Sequence, residues 1–309
     1  MDTPWWTSDA GDMKYMVRTI TILSVGIISI SFAAIFVRFC DDVPAIMIAA
    51  YRLGVASIIL LVFSRIRGVS FRIPRKDLLL SIAGGVFLGL HFIFWITSLK
   101  YTSVASSVVL VTTNPIFVGI FSYFILKERQ HREIIVGTIL CLIGSVVIAA
   151  GDSGIHSLIL LDEKALVGDV FALVGAVMAS AYLLTGSRVR ESLDILTYIT
   201  IVYTTSAIFL AGVSLLMGIS FTGYRSSSYM YMILLAVIPQ LVGHTSINWA
   251  LKHLRAGMIA ISILGEAIGA TILAYLFFGE TVSTPQIAGM ALIFTAIIIA
   301  SRKGKKIQG

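Results

Sequence analysis

Glu266 sits near the middle of an apolar run, 256–278, and its place in the first half of the chain is taken by Asn114, 152 residues earlier. If that run crosses a bilayer, a charge there costs about 2.5–3.5 kcal/mol on insertion scales. A carboxyl kept at such a place has three uses. It can carry a proton between a dry state and a wet one, hold a substrate amine, or stay protonated and hydrogen-bond a neighbouring helix. Gly265 and Gly269 beside it suit close helix packing. Gln240, His244 and Asn248 recur every four residues, which puts them on one face of an α-helix, just after Pro239. Three hydrogen-bonding side chains in line would be poorly solvated by lipid, so that face should line a cavity or pack on other polar groups. His91 and Trp95 share a face by the same spacing, either to hold an organic substrate or simply to pack. Position 91 maps to 243, so His91 and His244 lie at nearly equal depths in the two halves. Arg52, about 12 Å down its run from Pro44, is too deep to snorkel comfortably. It is expected either to bind a substrate carboxylate or to pair with carbonyls or Glu266. Tyr182, with Tyr51 and Tyr203, offers a hydroxyl to a cavity or to a neighbouring helix.

These groups need elements that cross a membrane, and composition supplies them. Of 309 residues 58% are hydrophobic and 13% charged, with a mean hydropathy of +0.96, whereas soluble domains carry about 25% charged residues. Splitting at charged or turn-rich gaps predicts ten spans: 17–39, 44–64, 77–99, 103–126, 131–150, 166–187, 194–217, 229–251, 256–278 and 284–301. The segment from Leu99 to Ala150 repeats as Leu251 to Ser301, with Lys100 on Lys252, Tyr123 on Tyr275, Glu128 on Glu280 and Gly137 on Gly289. Five spans per unit is an odd number, so the second unit must enter the bilayer from the opposite side. The predicted organisation is an N-terminal tail, 1–16, a first repeat, 17–150, a linker, 151–165, a second repeat, 166–301, and a basic tail, 302–309.

The net charge of +7 does not point to nucleic acid, because the basic residues fill short gaps between apolar runs. With the N-terminus inside, inner segments hold eighteen Lys and Arg and outer ones four, so both termini are expected in the cytoplasm. No removable signal peptide is expected: three aspartates precede the first basic residue and no small-residue cleavage site follows. Cys40 and Cys141 fall at different depths, which speaks against a disulfide, and neither has metal-ligand spacing.

The run Ser98-Leu99-Lys100-Tyr101-Thr102-Ser103-Val104-Ala105, then Thr113-Asn114-Pro115 and Glu128, with Glu266, Gly279-Glu280 and Gly289 in the second half, resembles the EamA-type branch of the drug/metabolite transporter superfamily. Tyr51-Arg52 also fits the family's second-helix pattern. The resemblance covers nearly the whole chain. It implies an all-α membrane protein, ten transmembrane helices as two inverted five-helix repeats around a central cavity, carrying amino acids or other small metabolites, often outward. In the second half Glu266-Ala267 stands where a proline commonly follows, so a kink matching the one expected at Pro115 lacks its usual cause.

The expected function is therefore a secondary transporter in the cytoplasmic membrane, working by alternating access; the alternative is a multidrug or cation efflux protein or a channel-like carrier. His91, Trp95, Asn114, Gln240, His244, Asn248, Arg52 and Tyr182 are the expected substrate contacts and Glu266 the expected coupling group, with a proton as the ion. No catalytic arrangement, zinc motif or Walker loop occurs, so neither an enzyme nor a resident metal or cofactor is expected. The expected partners are a small-molecule substrate and the bilayer. Oligomeric state leaves no signal in the sequence.

Overall fold

The computed structural model describes residues 10–102, 107, 110–127, 130–153, 163–279 and 282–301, and all regular structure among them is helical. The helices are α1 (Ala10–Arg38), α2 (Ala45–Ile66), α3 (Arg75–Ser98), α4 (Asn114–Phe121), α5 (Arg132–Ser153), α6 (Glu163–Val189), α7 (Ile195–Leu216), α8 (Ser226–Ala250), α9 (Ala256–Ile263), α10 (Gly265–Phe278) and α11 (Thr284–Ser301). Eight stretches are long and apolar enough to cross a membrane among the described residues: α1 from Val17, α2, α3, α6, α7, α8, α9 with α10, and α11. The predicted fourth span is described only in part, as the turn at Thr112 and Thr113, α4, and a π-helical continuation, Ser122–Leu126. α5 covers the predicted fifth. Glu128, Glu280 and most of the expected linker and tails lie outside the described residues.

Local chemistry sets the helix ends. Pro44 and Pro74, with ψ of 141° and 140°, lead extended backbone into α2 and α3, where a missing N–H costs nothing. Asp194 caps α7 by accepting from the Thr197 backbone N–H at 3.0 Å. Lys127 and Gly279, one repeat length apart, end their helices with the same left-handed turn, φ 55° and 65°. The second repeat fills that turn with the residue that takes it without a Cβ penalty. Within α8, residues Ala236–His244 wind as a π-helix around Pro239, which has no N–H to give the preceding turn.

Packing pairs elements of one repeat with those of the other. α1 lies on the π-helical part of α8 as α3 lies on α6; α1 meets α10 as α6 meets α4; α2 packs on α7, and α5 on α11. Under the 152-residue offset each contact maps onto its partner or onto itself. Gly269 gives α10 close access to α1 at Ser31, and Gly265 does so at Ile27, in keeping with the small-residue spacing around Glu266. Outward faces carry exposed Ile58, Val62, Ile208 and Leu215, an apolar surface that suits lipid rather than water.

The helix is interrupted at Thr112 and Thr113, just before Pro115, and the second repeat is interrupted at Leu264 with no proline after it. Thr113 N–H donates to Leu110 O (3.2 Å) and Ile116 N–H to Thr113 O (2.9 Å). In the other repeat Leu264 N–H donates to Ile261 O and Ala267 N–H to Leu264 O, both at 3.1 Å. Three-residue bonds replace the α-helical pattern at both places, so tight winding is what breaks the helix, whether or not a proline follows. Asn114 and Glu266 each stand in the first turn after their break.

Candidate functional site

A cavity of about 100 Å³ lies among α1, α2, α3, α6, α8 and the two broken helices. One ordered water occupies roughly 10–15 Å³ on the same measure, so the space suits a small organic molecule. Its lining includes Arg52, His91, Trp95, Asn114, Tyr182, His244 and Glu266, among mostly aliphatic neighbours such as Ile30, Val111, Leu183 and Ile263. Six helices and both repeats thus bring together seven of the nine residues singled out from the sequence.

The other two stand one layer back. Gln240 is fully buried, and its Oε1 accepts from Arg52 Nε at 2.8 Å. Asn248 is also fully buried; its Nδ2 donates to Tyr182 Oη at 2.5 Å and to Tyr203 Oη at 3.4 Å. The four-residue stripe assumed α-helical winding throughout. Between Gln240 and His244 the winding is π-helical and the two fall out of phase, so His244 reaches the cavity while Gln240 holds Arg52; Asn248, in the α-helical turn that follows, holds Tyr182.

Arg52 is 1% exposed and its guanidinium lies 4.1 Å from the centroid of Phe92. A cation over an aromatic face gains about 0.5–2 kcal/mol, more as water is excluded. Among the described residues no ion pair joins Arg52 to Glu266, and Arg52 Nη2 has no hydrogen-bond partner. Trp95 Nε1, Asn114 Oδ1 and His244 Nδ1 are likewise buried without a partner. Glu266 is half-buried; Ser31 Oγ reaches its backbone carbonyl at 3.4 Å.

His91 is held from both sides. Its Nδ1 donates to Gly175 O at 2.9 Å, which fixes the tautomer because a carbonyl can only accept, and its ring stacks on Trp95 with centroids 6.2 Å apart and planes 3° from parallel. Asn114 is fixed through its backbone, whose carbonyl accepts from Ser180 Oγ at 3.0 Å. His244 meets Phe92 edge-on and Tyr182 at a tilt. Sequence reasoning missed Phe92, since nothing in the spacing marks one phenylalanine as the seat of a cation. Tyr203, fully buried, was only a weak candidate and sits behind the site with Gln240 and Asn248.

Such an arrangement can bind a small polar solute. It offers one cation, one carboxyl, two imidazoles and an indole N–H inside an apolar wall, and no pair set up as nucleophile and base. Among the described residues no three His, Cys, Asp or Glu side chains come together to hold a metal.

Comparison with known proteins agrees with the fold. The model of the EamA-like transporter family matches residues 17–150 and again 166–302. An uncharacterized transporter of Clostridium kluyveri is 26% identical over 271 residues, covering 84% of each chain. Solute carrier family 35 member G1 of Mus musculus is 25% identical over 299 residues, covering 93% of this chain and 77% of its own. A solved crystal structure superposes with a TM-score of 0.75 over 92% of this chain and 97% of that one, at 18% identity, a likeness of fold.

Proposed function

Since the chain belongs to the EamA-like transporter family, we propose that it is a secondary transporter of small metabolites such as amino acids, an exporter that works by alternating access across the cytoplasmic membrane. One observation carries the reading. Two repeat-related helices break within one residue of the same register, and each places a polar side chain, Asn114 or Glu266, in the first turn beyond the break and on one cavity. Discontinuous helices around a midplane site are the arrangement by which transporters expose a substrate to either face in turn. The exchange of packing partners between repeats supports ten spans in two inverted five-helix units, the contacts being related as a two-fold axis in the membrane plane would relate them. Substrate contacts then fall to Arg52, His91, Trp95, Asn114, Tyr182 and His244, with Gln240 and Asn248 holding Arg52 and Tyr182 in place. Glu266 is the coupling group.

Purified protein in liposomes tests this directly. Uptake and efflux are measured against an amino-acid and metabolite panel, with and without a proton gradient. Saturable, stereospecific transport supports the reading. Non-saturating flux would favour a channel, and preference for lipophilic cations the multidrug alternative, which the aromatics near Glu266 would serve.

Orientation is a separate expectation. Both termini and the α2–α3 turn face the cytoplasm, while the α7–α8 turn faces out. Ser70 and Ser220 are both exposed in those turns, so each can be replaced by cysteine and labelled with a membrane-impermeant reagent. Ser220→Cys should react from outside in intact cells and Ser70→Cys only after permeabilisation. The reverse pattern overturns the orientation.

A further inference from the structure

We propose that the cavity carries a carboxylate clamp made by Arg52 Nη2 and Trp95 Nε1, and that the solute it selects is a small organic acid held through its carboxylate; this rests on the cavity being the solute site. Arg52 is the starting point. A buried charge is ordinarily paired, because removing it from water is costly. Here the guanidinium is 1% exposed, its hydrogen bond goes to the neutral Gln240 amide at 2.8 Å, and the Glu266 carboxyl acts on it only across the cavity, beyond ion-pair distance. That amide cannot be the other way round: with Nε2 toward Arg52 two donors would face each other. Phe92 gives the cation a face 4.1 Å away and no hydrogen-bond acceptor. The ion pair with Glu266 that the sequence allowed is absent among the described residues. The guanidinium is therefore held in place by Gln240 and Phe92, with Nη2 left over.

Trp95 supplies the second donor. It is 6% exposed, its ring is fixed against His91, and its Nε1–H has no partner. An indole N–H has no acceptor capacity, so whatever satisfies it must present a lone pair. Phe92, which carries Arg52, and Trp95 are three residues apart on α3, neighbours on one helix face, so Arg52 and Trp95 stand at the same wall of the cavity, each with a buried donor that a small turn of its side chain would present to a solute. An acceptor-only anion with two oxygens meets that pair; a carboxylate does so with a lower desolvation cost than a doubly charged phosphate facing one guanidinium. The mostly aliphatic remainder of the wall suits a hydrocarbon body. Gln240 is then a positioning residue, acting through Arg52.

The test reads binding, so it does not depend on whether the protein transports. Aliphatic and aromatic monocarboxylic acids and α-amino acids are compared, each with its own carboxamide, by the shift each gives in the melting temperature of purified protein, since a ligand stabilises the state it binds. Acids should bind about 10- to 100-fold more tightly than their amides, the value of a hydrogen bond to a charged group. In Arg52→Gln that ratio should collapse toward one, and in Trp95→Phe, which keeps the guanidinium, it should fall. If Arg52→Gln does not fold, Trp95→Phe, which removes the N–H and keeps an aromatic ring, still decides. Acids that stabilise wild type no better than their amides overturn the clamp, and so does an unchanged acid-to-amide ratio in Trp95→Phe.

Discussion

Glu266→Gln should still exchange substrate across a membrane but lose the ability to concentrate it with a pH gradient. Glutamine keeps the shape and hydrogen-bonding reach of the carboxyl and cannot release a proton. Glu266 lies on the cavity wall, half-buried, in the first turn after a helix break, so under the alternating access proposed above its surroundings would change with the side to which the cavity opens. Arg52 lines the same cavity without pairing to it, ready to favour the ionised form in another state. Asn114, the repeat partner, cannot titrate, which confines the proton to one of two symmetric places. With one proton moved per solute, a difference of one pH unit supports about tenfold accumulation, because one unit is worth about 1.4 kcal/mol. The variant should equilibrate without accumulating. Liposomes loaded at one pH and diluted into another measure both properties in one preparation. A wild type that ignores the gradient ends the coupling proposal and leaves Glu266 as a ligand for a substrate amine or a packing residue.

The duplication was readable because it is written in residue types: Asn114 and Glu266 correspond at one offset, and both stand where their helices break. The break in the second repeat was harder to foresee. Proline is a visible cause of a kink, whereas the three-residue hydrogen bonds around Leu264 have no residue type that announces them. The same difficulty displaced Gln240. A four-residue spacing shares a face in an α-helix, but π-helical winding runs around Pro239 from Ala236 to His244, and Gln240 loses phase with His244. Arg52 could be recognised as a buried cation; its seat on Phe92 and its Gln240 partner come from helices remote in sequence, which no local pattern encodes. Chemistry was legible residue by residue, and the second layer that orients it was not.

Gly289→Ala should be among the most damaging single-methyl additions, although it touches nothing in the cavity. α5 and α11 cross at glycines, and a Cβ built on Gly289 would stand 2.5 Å from the Gly144 carbonyl oxygen and 2.7 Å from Ile148 Cγ1. A Cβ on Gly144 would stand 2.8 Å from the Gly289 carbonyl oxygen. The obstacles are largely backbone, so the helices must separate to accept the methyl, and overpacking of this kind costs about 1–3 kcal/mol. The repeat offset turns the pair 144 and 289 into 296 and 137, where the second repeat has Ala296; there the closest approaches to a Cβ on Gly137 relax to 3.0 and 3.1 Å. Gly137→Ala should therefore cost less than the other two. Gly54 and Gly212, inside α2 and α7, have nothing within 4 Å of a Cβ. Alanine there should stabilise, by up to about 1 kcal/mol of helix propensity. Melting of the five variants in one detergent gives the order Gly289 and Gly144 lowest, Gly137 intermediate, Gly54 and Gly212 at or above wild type. A Gly289→Ala protein that melts with wild type would mean that α5 and α11 do not cross this closely. The two-fold relation between the repeats would then lose the contact that tests it at the shortest range.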